Sequence, residues 1–88
     1  MRQFKSNDEF YTHLDKLTEA LYEQELSESA DKLHALLHKA IWTTSTELFG
    51  ELRLCFYEIL RSDKERLDTS LREDIEQCAV LLEQALSR

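Results

Sequence analysis

The chain has 88 residues, 42% of them apolar and 33% charged, with one glycine, no proline and a formal net charge of −7. That length predicts a single all-helical domain over residues 1–88, burying about 60% of the surface its unfolded form exposes. The apolar content excludes intrinsic disorder, the missing basic surface argues against nucleic-acid binding, and one glycine cannot build a phosphate-cradling loop.

The first eleven residues, MRQFKSNDEFY, contain no apolar signal core, and no later run approaches the roughly 18 apolar residues of a membrane span. A cytoplasmic protein with no membrane contact is expected. Cys55 and Cys78 sit inside apolar stretches without the close spacing of a metal or redox motif, which predicts buried thiols used for packing.

Ser6 and Glu9 have the spacing of a capping box and predict the start of helix 1, whose apolar residues Phe10, Leu14, Leu17 and Leu21 recur at helical intervals. The helix should fade near Gln24. Opposite this stripe runs an acidic row of Asp8, Asp15, Glu19 and Glu23. It is either a solvated face or a docking surface for a basic protein, which it would steer electrostatically.

Ser27, followed by Glu28 and Asp31, opens a second helix with the stripe Ala30, Leu33, Leu37 and Ala40, widened by Leu36 and Ile41. His34 and His38 are one turn apart, and Asp31 lies three residues before His34, a spacing that can hold a metal ion. Ala35 stands where a metalloprotease motif would place its glutamate, so that chemistry is excluded. The pair falls at the edge of the apolar face, where structural histidines also sit. If the helix persists to Trp42, that side chain faces outward.

Residues 43–46 are all hydroxylic, poor helix interior and good punctuation. Thr44 with Glu47 repeats the capping-box spacing and predicts helix 3, although one bent helix over 30–62 is an alternative. Leu48, Leu52, Cys55 and Ile59 form its core stripe, flanked by Phe49, Phe56 and Leu60. Gly50, Leu54, Tyr57 and Arg61 align on the opposite side. A glycine inside a helix costs about 1 kcal/mol relative to alanine, so close approach of helix 1, helix 4 or another chain is expected there. Trp42, Tyr57 and Arg61 are of the types that anchor interfaces. The competing arrangement tucks Trp42 under the hinge and buries helix 3 all round.

Ser70 with Glu73 predicts the last helix, with Leu71, Ile75, Cys78, Leu82 and Ala85 inward; Ser62 with Glu65 is a rival start. Four helices with short connections give a small up-and-down bundle or a pair of helical hairpins. The expected function is that of an acidic protein–protein interaction module, homodimeric and without catalysis or a cofactor. Its partner-binding residues are Trp42, Gly50, Leu54, Tyr57 and Arg61, with Asp15, Glu19 and Glu23 offered to a basic protein. The alternative is a metal- or small-ligand-binding protein using Asp31, His34 and His38.

Overall fold

Ser6 and Thr44 each begin a helix in the way their spacing requires. In the computed structural model, which describes residues 4–40 and 44–87, the Ser6 hydroxyl accepts from the Glu9 amide at 3.2 Å. The Thr44 hydroxyl accepts from the Glu47 amide at the same distance. These caps open α1 (Asn7–Glu23) and α3 (Ser45–Ser62). Between them lies α2 (Ser27–His34), which runs on into a π-helical segment, Ala35–Lys39. The last helix is α4 (Thr69–Leu86). The described residues contain no strand.

α1 ends in a tight hydrogen-bonded bend. The Glu25 amide donates to Tyr22 O at 3.0 Å and the Leu26 amide to Leu21 O at 2.9 Å, the paired bonds of a Schellman motif. The motif needs a left-handed residue after the helix, and Glu25 supplies it with φ 63°. Leu26, buried, then fixes the entry to α2. α2 therefore starts at Ser27 without a side-chain cap, and Ser27 is its first helical residue rather than its N-cap.

In the π-helical segment the Ala40 amide reaches back five residues to Ala35 O at 2.9 Å. The wider turn ends the inward stripe early: Leu37 is half-buried, and Ala40 is exposed and extended. Thr44 is extended as well, so α2 and α3 are separate helices and not one bent rod. Ile41, Trp42 and Thr43 lie outside the described residues.

The start of α4 differs from its expected cap. Asp68, not Ser70, is the N-cap, its Oδ1 accepting from the Leu71 amide at 2.7 Å. Ser62 is the end of α3, so the rival box at Ser62 starts nothing. Ala85 proves exposed, and Ala79 is buried in its place.

The four helices alternate in direction. Polar contacts run Asp15 to His38 and Tyr22 to Asp31 between α1 and the second helix, Ser29 to Asp63 between α2 and the end of α3, and Arg53 to Glu83 between α3 and α4. His13 to Asp74 and Gln24 to Asp68 close the ring between α1 and α4. This is an up-and-down bundle whose packing is concentrated in two hairpins, α1 with α2 and α3 with α4. One apolar cluster joins them, with Leu14, Leu21, Leu33, Leu52, Phe56, Ile75, Cys78 and Leu82 at its centre. The buried Thr18 hydroxyl is satisfied by donating to Leu14 O at 2.9 Å. Phe4, Phe10, Tyr11 and Phe49 close one end with ring centroids 5.1 to 6.4 Å apart in successive pairs.

Candidate functional site

Helix α3 is central but not buried all round. Leu48, Leu52, Cys55, Phe56 and Ile59 fill the core, while Leu54 remains 54% exposed and Tyr57 40% exposed on the outward ridge. Arg61 is exposed on the same ridge. Gly50 completes it, and a Cβ built there would meet nothing within 4 Å. The expectation that helix 1 or helix 4 closes on Gly50 is therefore wrong: neither places an atom within 4 Å of that position. Two flanks border the ridge. On one, Glu51 and Glu58 face α2, where Lys32 Nζ lies 3.4 Å from Glu58 Oε1. On the other, Arg53 Nη1 lies 3.6 Å from Glu83 Oε1, and hydrogen bonding to the Glu83 carboxylate raises the Tyr57 phenol above its ordinary pKa. Tyr22 on α1 and Val80 on α4 are also exposed.

The acidic row of α1 is not uniform. Glu19 and Glu23 are exposed, but Asp15 is half-buried and turned toward the π-helical segment, its Oδ1 2.5 Å from His38 Nε2. Asp15 lies off the apolar stripe of α1, yet the antiparallel neighbour partly covers it.

That contact also dismantles the proposed metal set. His34 and His38 rings pack with centroids 5.0 Å apart, yet His38 is directed to Asp15, and Asp31 accepts from the Tyr22 hydroxyl. Bonding to Asp31 raises the Tyr22 phenol. Asp31, His34 and His38 do not converge.

A different cluster does. His13 Nε2 lies 2.8 Å from Asp74 Oδ1, and Cys78 Sγ lies 3.8 Å from the same oxygen. The three ligand-type atoms fall within 4.8 Å of one another, and no other group of three such residues does so among the described residues. His13 comes from α1, Asp74 and Cys78 from successive turns of α4. Asp74 and Cys78 stand four apart in the sequence, but His13 is 61 residues from Asp74, and no local pattern links them. The cluster borders a cleft of about 310 Å³ lined by Lys16, Glu23, Gln24, Asp68 and Ser70 among others.

Cys55 has a different setting. It forms no bridge with Cys78, and it backs a groove of about 410 Å³ between the start of α2 and the end of α3. Burial, with the Glu58 carboxylate adding to it and Lys32 opposing, pushes its thiol up to about 11. A thiol held neutral in this way is a poor nucleophile at neutral pH.

No helix among the described residues is long and apolar enough to cross a membrane. No protein-family model, curated protein or solved structure matches this chain.

Proposed function

We propose that the protein is a small protein–protein interaction module of the cytoplasm that self-associates through the outward ridge of α3 and has no catalytic activity of its own. The observation that carries this reading is the ridge itself: Leu54 and Tyr57 exposed one turn apart, beside an open Gly50. Isolated exposed apolar residues are ordinary, but two on one unobstructed helix ridge offer a strip for another helix.

The ridge is self-complementary in an antiparallel arrangement. A two-fold axis midway between Leu54 and Tyr57 sets each against the other residue in the second copy, and the same register sets Arg61 over the gap at Gly50. The long arginine side chain fills the space the glycine leaves. Glu51, beside Gly50, then becomes available to its charge. Trp42, outside the described residues, is carried as a further anchor of this surface.

The exposed carboxylates of Glu19 and Glu23 support a second surface for a basic protein. Salt separates the two kinds of binding. Two copies of a chain of net charge −7 repel at long range, so screening strengthens self-association, whereas it weakens capture of a basic partner. Light scattering after size-exclusion chromatography, over a wide concentration range at low and moderate salt, tests this. A dimer favoured by salt and lost in Leu54→Glu supports the reading. A monomer at every concentration removes self-association.

A further inference from the structure

We propose that His13, Asp74 and Cys78 form a zinc site between α1 and α4, with imidazole Nε2, carboxylate Oδ1 and thiolate Sγ as ligands and water from the adjoining cleft in the fourth position. The donor set is the first argument. One nitrogen, one oxygen and one sulfur suit zinc, whereas the thiolate disfavours magnesium and calcium, which take oxygen ligands.

Geometry is the second argument. Zinc bonds of about 2.0–2.3 Å in a tetrahedron place ligand atoms roughly 3.3–3.7 Å apart. Asp74 Oδ1 and Cys78 Sγ, at 3.8 Å, are already close to that spacing. His13 Nε2 and Asp74 Oδ1, at 2.8 Å, need to separate by about half an ångström. Asp74 and Cys78 lie on one rigid helix, and the Phe4 ring packs against the imidazole with centroids 5.3 Å apart, which limits how the histidine can turn.

Access is the third. Cys78 is fully buried behind the residues that line the cleft, while the His13 and Asp74 side chains, 17% and 20% exposed, form a rim that solvent reaches. Entry at the rim brings the ion onto the sulfur. Zinc takes the thiol as thiolate, its proton passing to solvent, and the imidazole as the neutral Nδ1–H tautomer. The ion replaces the His13–Asp74 hydrogen bond with a bond network that still joins the two helices. Affinity therefore rises with pH as protons compete less.

The test uses the whole chain, purified without a histidine tag and stripped by chelator. Cobalt(II) added to it should give thiolate-to-metal charge-transfer absorption that saturates at one ion per chain and is displaced by zinc; zinc should also raise Tm. Cys78→Ser should abolish the absorption and weaken zinc binding by more than about tenfold. His13→Gln, at a partly exposed position, should weaken binding similarly and serves if Cys78→Ser does not fold. Cys55→Ser should bind like the wild type. The proposal is overturned if the wild-type chain shows neither the absorption nor a Tm shift, or if the absorption survives Cys78→Ser and His13→Gln, or disappears in Cys55→Ser.

Discussion

Gln24 and Asp68 hold each other from both sides: Gln24 Nε2 donates to Asp68 Oδ2 at 2.7 Å, and the Asp68 amide donates back to Gln24 Oε1 at 3.4 Å. Gln24 is the C-cap of α1, and Asp68 is the N-cap of α4, so one pair of side chains joins two helix ends across 44 residues. Asp68→Ala removes the cap and the side-chain half of the tie, leaving only the amide of residue 68 to donate to Gln24. It should cost about 1–2 kcal/mol by urea denaturation, and Asp68→Asn should recover part of that because an amide oxygen still caps. If Gln24→Ala adds nothing to Asp68→Ala, the two act as one unit.

Glu25 occupies a backbone conformation that suits glycine. With φ 63° it is the positive-φ non-glycine residue among those described, and it is exposed at the bend between α1 and α2. Glu25→Gly should therefore raise stability by about 0.5–1 kcal/mol, since relief of the left-handed strain outweighs the entropy glycine gains in the unfolded chain. A drop in Tm would show that the Glu25 side chain contributes more than the backbone loses.

Gly50 allows stability and association to be measured apart. Nothing within 4 Å obstructs a Cβ there, so Gly50→Ala should stabilise the isolated chain by about 0.5–1 kcal/mol. Gly50→Leu should still fold, yet it fills the gap that Arg61 needs in the second copy. Thermal melts at low concentration and light scattering at high concentration should therefore diverge for this variant, with Tm kept and the dimer lost. Arg61→Glu should weaken the dimer without moving the melt.

Cys55 gives the fold a defined alkaline sensitivity. Its thiol is raised from 9.0 to about 11 in the folded chain, chiefly by burial. Below about pH 9 both states keep the proton, and the full contribution is present. From there to about pH 11 the unfolded thiol ionises and the folded one does not, so stability falls by about 1.4 kcal/mol per pH unit from this group. Cys55→Ala should be less stable at neutral pH through lost packing, but its stability should fall less steeply between pH 9 and 11. Parallel slopes for the two proteins would contradict the assignment.

What could be read from the sequence was what is local. Ser6 and Thr44 cap through contacts three residues away, and the stripes from Phe10 to Leu21 and from Leu48 to Ile59 follow from helical spacing alone. At Asp68, Thr69 and Ser70 three side chains compete to cap α4, and the choice goes to the one that Gln24 engages from a distance. The exposed α3 ridge was visible as a second apolar row, but whether anything covered it depended on where α1 packs. Asp31, His34 and His38 had the right spacing for a metal, yet Tyr22 and Asp15 on the neighbouring helix draw two of them away. Asp74 and Cys78 stand one helical turn apart, but nothing local ties His13 to them; only the antiparallel pairing of α1 with α4 assembles the three. No local signal in ALLHK explains the π-helical turn.

The hairpin pairing carries a consequence for how the chain reaches its fold. The most extensive packing joins helices adjacent in sequence, α1 to α2 and α3 to α4, through connections of three and six residues. Such closures are entropically cheap and favour folding on the microsecond-to-millisecond scale. Yet neither half encloses its own apolar face, since Leu14 and Leu33 share one cluster with Phe56 and Leu82. A backbone cut between the hairpins should therefore leave two fragments that are poorly ordered apart and recover helical structure when mixed, a non-covalent complementation in which each half is the template for the other.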